Sequence, residues 1–269
     1  MIQKIQMTEY TVGNSALPKA FDGFRILQFS DFHNVDMGLQ NQGLIEAIRT
    51  ERPDMIAITG DMLDARKPDM TLCLSMLRAM SEIAPCYFVP GNHEAKLKSL
   101  YEEMETQMRA MPNICVLRDM MTEINRHGST LFIMGVEDPA FEDSRNSECD
   151  RILHKKLSKV VMPDAYVVLL THRPDPLWLY YRHNIGLALA GHAHGGQVRL
   201  PILGALYSPN QGIFPRYTGG VYEKYHTQMV VSRGIGSQRK VPRINNKAEI
   251  PIITLRVPDT PPNIVPDEA

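Results

Sequence analysis

"DMIAITGDMLD", residues 54–64, decides the architecture of this chain. A short apolar, β-prone run stops at Gly60 and hands over to two carboxylates, Asp61 and Asp64. "FRILQFSDFHN" (24–34) and "PCYFVPGNHE" (85–94) repeat that grammar, an apolar run ending in a polar cluster. Between the runs the period changes. "GLQNQGLIEAIRTERP" (38–53) sets Leu39, Leu44, Ile45 and Ile48 on one face, and "DMTLCLSMLRAMSEI" (69–83) does the same with Leu72, Met76, Leu77, Met80 and Ile83, which is helical spacing. Strand, polar loop, helix, strand is the βαβ unit, and runs this apolar predict strands covered on both faces.

The second half changes rhythm. "STLFIMGVED" (129–138), "DAYVVLLTH" (164–172), "IGLALAGHAH" (185–194), "QVRL" (197–200), "TQMVVSRG" (227–234) and "EIPIITLRV" (249–257) are strand patterns. Only 145–160 and 174–183 are spaced as helices there. The expectation is an α/β, four-layer α/β/β/α sandwich: two mixed sheets face to face, helices outside both. With no linker or repeat, residues 1–257 are expected to form one domain, followed by a frayed Pro-rich tail, 258–269.

Composition narrows the function. The chain has 269 residues, enough for a substantial core, and a formal net charge of −1, so no stable nucleic-acid complex is expected. Cys73, Cys86, Cys115 and Cys149 form no CxxC pattern and are expected as reduced thiols. No stretch approaches the roughly 18 apolar residues of a membrane span. The default expectation is therefore cytoplasmic, with peripheral membrane contact left open.

Ligands of open α/β sheets bind beyond the carboxyl ends of the strands. Those positions hold Asp31 and His33, then Asp61 and Asp64, then Asn92, His93 and Glu94, then His172, then His192 and His194. Singly, each has an ordinary reading as a helix cap, a turn residue or a solvated imidazole. Five strand ends in succession delivering carboxylates, an amide and imidazoles make a nitrogen/oxygen metal site without sulfur.

The blocks Asp31-x-His33, Gly60-Asp61-x-x-Asp64, Gly91-Asn92-His93-Glu94, His172 and Gly191-His192-x-His194 together resemble the calcineurin-like metallophosphoesterases. Residues 195–224 and 232–243 further resemble the bacterial YkuE/YaeI-like branch. The resemblance implies two divalent ions (Mn, Fe or Zn, with Mn expected to support activity in vitro). Asp31, His33, Asp61 and His194 would hold one, and Asp61, Asn92, His172 and His192 the other, with Asp61 bridging. It implies attack of a metal-bridging hydroxide on phosphorus, His93 as proton donor to the leaving group and Asp64 orienting that imidazole. Along an extended "HAH" segment the i, i+2 histidines are expected to point alike, each serving one ion, and Ala193 to face away. Glu94 caps the following helix or buttresses the site.

Arg173 and Asn34 are tentative substrate contacts, with a surface turn as the alternative for Arg173. His127, His154, His183 and His226 are expected to be solvated or structural. "GSQRKVPR" (236–243) is either an anion contact or a solvated loop. The substrate is a phosphodiester, phosphomonoester or pyrophosphate, selected by the loops around 136–146 and 199–226. Leu200, Ile202, Leu203, Leu206, Tyr207, Ile213, Phe214 and Tyr217 either join the core or wall the site for a small-molecule or lipid-linked phosphoester. A UDP-diacylglucosamine-type lipid pyrophosphatase, a nuclease and a catalytically silent scaffold on the same fold are the competing readings.

Overall fold

The structure, a computed structural model, describes residues 5–142, 148–200, 204–208, 211–236 and 243–258. The first half runs β1 (Gln6–Gly13), β2 (Arg25–Phe29), α1 (Gln42–Thr50), β3 (Met55–Ile58), α2 (Met70–Ser81), β4 (Cys86–Phe88), α3 (Asn92–Lys96), α4 (Lys98–Arg109) and β5 (Ile114–Val116). The second runs β6 (Met120–Arg126), β7 (Ser129–Gly135), α5 (Cys149–Lys159), β8 (Val167–Leu170), α6 (Leu177–Arg182) and β9 (Leu187–Ala190). Four two-residue strands follow: β10 (Arg199–Leu200), β11 (Gly204–Ala205), β12 (Tyr207–Ser208) and β13 (Gly212–Ile213). The last three are β14 (Gly220–Lys224), β15 (Thr227–Val231) and β16 (Glu249–Arg256).

Two six-stranded mixed sheets result, ordered β1-β16-β2-β3-β4-β5 and β14-β15-β9-β8-β7-β6. β2 to β5 are mutually parallel, and so are β7, β8, β9 and β15. The chain's last long strand returns to the first sheet, between β1 and β2.

Alternation along the strands builds three apolar interfaces. Ile26, Ala57, Val168, Leu170, Leu187 and Leu189 point between the sheets. Leu27, Phe29, Ile56 and Ile58 point outward onto Leu44, Ile48, Met76, Leu77, Tyr101 and Met104 of α1, α2 and α4. Val167, Leu169, Ala188 and Ala190 point outward on the other side, onto Leu153, Leu157, Leu177 and Tyr180 of α5 and α6. Each large side chain buried in this way contributes about 1.5–3 kcal/mol. This is the expected four-layer sandwich.

Several elements depart from the pattern. β1 is an edge strand with a largely exposed sequence, so it shows no apolar run. α4 buries only Tyr101, Met104 and Met108 on a charged helix, a narrow stripe to which no element was assigned above. "QVRL" forms no strand of a large sheet: Arg199–Leu200 pair with Gly204–Ala205, and Val198 makes an isolated bridge to Ile244. The Pro-rich tail beyond residue 258, the loop 143–147, Ile202, Leu203 and residues 237–242 of the basic segment lie outside the described residues.

Candidate metal centre

The parallel strands of both sheets end at one rim, where their loops interlock. Asp31 and His33 donate their amides to the carbonyls of Gly60 and Asp61, each at 3.0 Å. Gln28, buried between the sheets, donates to the Ala190 carbonyl at 2.8 Å. The approach is close enough to exclude side chains. A Cβ on Gly191 would strike Ser30 Oγ and Asp31 Oδ2, and one on Gly60 (φ +88°) would lie 2.8 Å from His172 Nδ1. Asp31, His33, Asp61, His192 and His194 themselves adopt φ between 48° and 66°. Left-handed backbone at non-glycine residues is costly and concentrates at functional sites.

The expected ligand residues come together in two adjoining groups. In the first, His194 Nε2 lies 3.2 Å from His33 Nε2 and 3.4 Å from Asp31 Oδ1. In the second, His172 Nε2 lies 3.1 Å from Asn92 Oδ1, 3.1 Å from His192 Nδ1 and 3.3 Å from Asp61 Oδ2. Asp61 Oδ2 also lies 3.7 Å from His33 Nε2, so Asp61 stands between the groups. His172 Nδ1 is 2.7 Å from the Thr59 carbonyl, which only accepts, so that nitrogen carries the proton. In the neutral ring the Nε2 lone pair then faces a carboxylate and an amide oxygen. Buried acceptors aimed at one another are satisfied by a shared cation, and the donor set suits a divalent transition metal.

The "HAH" segment reaches this arrangement by another route than the expected one. It is not extended: His192 and His194 are left-handed at φ 66° and 48°, and Ala193 between them is helical at φ −75°. A tight turn, not strand alternation, sends the two imidazoles to different groups, while Ala193 packs into the outer core.

Residues 24–196 match the family model for calcineurin-like phosphoesterases. The chain belongs to the calcineurin-like phosphoesterase family. Among its relatives, the Bacillus subtilis metallophosphoesterase YkuE is 30% identical, over 94% of this chain and 86% of that protein. The Escherichia coli phosphodiesterase YaeI is 25% identical, over 86% and 82%. The solved structure of TT1561 from Thermus thermophilus shares the fold, with a TM-score of 0.50 and 15% identity over 77% of this chain and 88% of that one. The protein is thus a metallophosphoesterase, a hydrolase of phosphoric esters in a family that binds divalent metals. No helix among the described residues is long and apolar enough to cross a membrane.

Electrostatics in this metallophosphoesterase keep three of the four candidate ligand imidazoles neutral, while a cation at the fourth, His172, would have to displace its Nε2 proton. Burial holds the His33 pKa down to about 3, and burial with the Arg243 charge does the same for His194. Burial, Arg173 and His172 keep His192 well below the usual imidazole range. Neutral imidazoles keep the lone pair that a metal requires. Burial alone would also depress His172, but the Asp61 carboxylate overrides it and raises that pKa to about 10. Burial raises Asp31, with the Asp61 charge adding to it. Asp61 is lowered: burial opposes its ionisation, and His172, His93 and His33 outweigh burial.

Around the phosphoesterase loops, other side chains hold the geometry. Glu94, fully buried, accepts from the amides of Gly91, Asp61 and Leu63 at 2.8–2.9 Å. It thereby both caps α3 and clamps the Asp61 loop, while burial and the Asp61 charge push its pKa up. His93 Nδ1 accepts from the Ala65 amide at 2.9 Å, and Asp64 Oδ1 is 3.9 Å from that nitrogen. The Ala65 amide, rather than Asp64, is therefore the direct partner of the ring; Asp64 accepts from Arg66 N at 2.9 Å. Asn34, an expected substrate contact, is engaged in the loop: Oδ1 accepts from Asp64 N and Nδ2 donates to the Lys67 carbonyl. Arg173 is buried, with Nε and Nη2 on the Asp138 carboxylate at 2.8 and 3.0 Å.

Two supports gave no sign in the sequence. Asn246 Nδ2 donates to the His194 carbonyl at 2.7 Å and to that of Gln197 at 3.1 Å. Arg243 spreads its guanidinium over the carbonyls of His194, Arg233, Gly234 and Gly236. The described end of the basic segment is thus a staple for the His194 loop. Away from the rim, His154 pairs with His183 at 2.9 Å, His226 lies tilted against the Tyr181 ring and His127 sits in an exposed turn.

Proposed function

We propose that this protein is a dinuclear phosphoesterase in which Asp31, His33, Asp61 and His194 hold one divalent ion and Asp61, Asn92, His172 and His192 the other. The observation that carries this reading is the meeting of buried acceptor atoms around Asp61 Oδ2, with His172 fixed as a metal-ready tautomer. When bound, such ions neutralise phosphoryl oxygens and lower the proton affinity of a water.

The chain's own residues supply the rest. Because Nδ1 of His93 accepts from Ala65, the neutral ring carries its proton on Nε2, which faces the centre 3.9 Å from Asp61 Oδ2. Donation to a leaving-group oxygen takes the imidazolium, in which Nδ1 is protonated as well, so that loss of the Nε2 proton returns a neutral ring. Asp64 would stabilise the ring once Nδ1 is also protonated. Arg173, oriented by Asp138, keeps Nη1 without a hydrogen-bond partner among the described residues, a donor for a substrate oxygen.

A phosphodiester is the substrate class we favour, on the name of YaeI, and a lipid-linked one on the apolar loop residues exposed beside the His194 turn. Residues 1–257 are taken as one unit, with Mn, Fe or Zn as the ion and a reducing cytoplasmic setting suited to four unpaired cysteines.

The test is metal content together with turnover of bis-p-nitrophenyl phosphate and p-nitrophenyl phosphate, with Mn and with EDTA. About two ions per chain and EDTA-sensitive diester hydrolysis are expected. No metal uptake after Mn loading overturns the reading. Metal uptake without turnover of either ester would favour the scaffold alternative.

A further inference from the structure

Leu206, Tyr207, Ile213 and Phe214 are large apolar side chains that the fold leaves in solvent, Ile213 at 71% and Phe214 at 60% exposure. They are gathered on one hairpin. β12 and β13 pair Tyr207 with Ile213, and the Phe214 amide donates to the Leu206 carbonyl at 2.9 Å. Leu200 and Ile244, also exposed, are tied in through Leu206 N to Val198 O and Arg199 N to Ile244 O. The hairpin is seated on the turn that follows His194: a Cβ on Gly196 would strike Ala205 and lie 3.3 Å from the Tyr207 carbonyl. The apolar surface therefore borders the candidate centre. The alternative that these four residues join the core does not hold.

Single exposed apolar residues are ordinary, but a contiguous group marks a contact surface. The charge carried by this stretch of the sequence selects the partner. Between Asp175 and Glu223 the sequence has no acidic residue, and it carries Arg182, Arg199 and Arg216. Between Glu223 and Glu249 it again has none, with six Lys and Arg, of which Arg243 is held on backbone carbonyls and Arg233 on Glu249. In a chain of net charge −1, cations are thus segregated into the segment that bears the hairpin. Arg216, exposed, lies over the Tyr217 ring at 5.3 Å. A second copy docked by two-fold symmetry would set like charges against each other. Anionic headgroups over an acyl layer accept both the cations and the apolar side chains.

We propose that the β12–β13 hairpin is an interfacial anchor, which docks this protein on an anionic lipid surface by inserting Ile213 and Phe214. Its consequence rests on the phosphoesterase reading above: docking sets the centre beside phosphoesters presented at that surface.

The experiment is flotation of the full chain with vesicles of phosphatidylcholine alone or mixed with phosphatidylglycerol. The doubly substituted Ile213→Asp, Phe214→Asp protein and an Arg216→Glu protein are run alongside. The expected result is co-flotation with the anionic vesicles only, reduced about tenfold in the double variant and weakened in Arg216→Glu. An unchanged thermal unfolding midpoint reports that the double variant folds, and hydrolysis of bis-p-nitrophenyl phosphate in free solution is read on the unsubstituted protein. Co-flotation without hydrolysis would keep the anchor and remove the phosphoesterase reading. The anchor is overturned by no co-flotation, or by binding that survives the double substitution, which would be bare attraction to polyanions. A dimer in light scattering that the double variant dissolves would overturn it in favour of a second copy.

Discussion

His172 donates its Nδ1 proton to the Thr59 carbonyl across 2.7 Å, joining the ends of strands from different sheets. That bond selects the tautomer that leaves Nε2 for Asp61, Asn92 and a cation. Replacing His172 by Asn should leave the fold intact and lower metal affinity by about 10–100-fold or more. Metal titration of EDTA-treated protein reads this; unaltered affinity would remove His172 from the ligand set.

Asp61 stands between the groups, so its loss should be felt by both. Asp61→Asn should reduce metal content below that of a variant touching only one group, such as His33→Asn. Elemental analysis after gel filtration compares the two directly. Equal losses would mean that Asp61 does not bridge.

His93 holds its proton toward the centre without being assigned as a ligand. His93→Ala is expected to keep its metal and to lose about 10²–10⁴ in kcat on esters with poor leaving groups. With p-nitrophenolate, which needs little protonation, the loss should be much smaller. Comparing alkyl and aryl esters separates this from a general structural defect.

Acid should destabilise the metal-free protein. His33 and His194 titrate at about 3 when folded against an ordinary imidazole value of 6.5, so below 6.5 the unfolded chain binds more protons. Their contribution is complete above 6.5 and is lost as pH falls toward 3. His172, raised to about 10, acts in the opposite sense: its contribution is complete below 6.5 and fades as pH rises through 10. Denaturant midpoints of EDTA-treated protein should fall between about pH 7 and pH 5, with a shallower fall in His33→Asn. Parallel slopes would contradict the assignment.

Lys156 is 1% exposed and lies between Asp119 Oδ2 at 2.7 Å and Glu137 Oε1 at 2.8 Å. Lys156→Met would leave the Asp119 carboxylate without its cation and Glu137 with Arg118 alone, at 2.6 Å, a loss of about 3–5 kcal/mol. Glu137 precedes Asp138, the partner of Arg173, so kcat should fall as well. Thermal unfolding and turnover of the same preparation test both effects.

Local pattern by itself located the rim. Apolar runs ending in Asp31, Asp61, Asn92, His172 and His192 follow from alternation and chain polarity, both properties of a few neighbouring residues. The layers followed too, because strands apolar on successive positions must be covered twice. What tertiary structure alone decided depends on partners distant in sequence. Glu94 looks like a helix cap until the Asp61 and Leu63 amides, on a separate loop, turn out to bond it. Arg243 looks like part of a solvated basic loop until it meets the carbonyl of His194 and that of Gly234 in the loop after β15. His192 and His194 diverge through left-handed backbone, which no side-chain spacing announces. β1 shows no apolar run because an edge strand buries little, and it joins the sheet only when β16 arrives beside it from the far end of the chain. Periodicity records which face of an element is covered; the loops that meet over a site are set only when the two sheets pack.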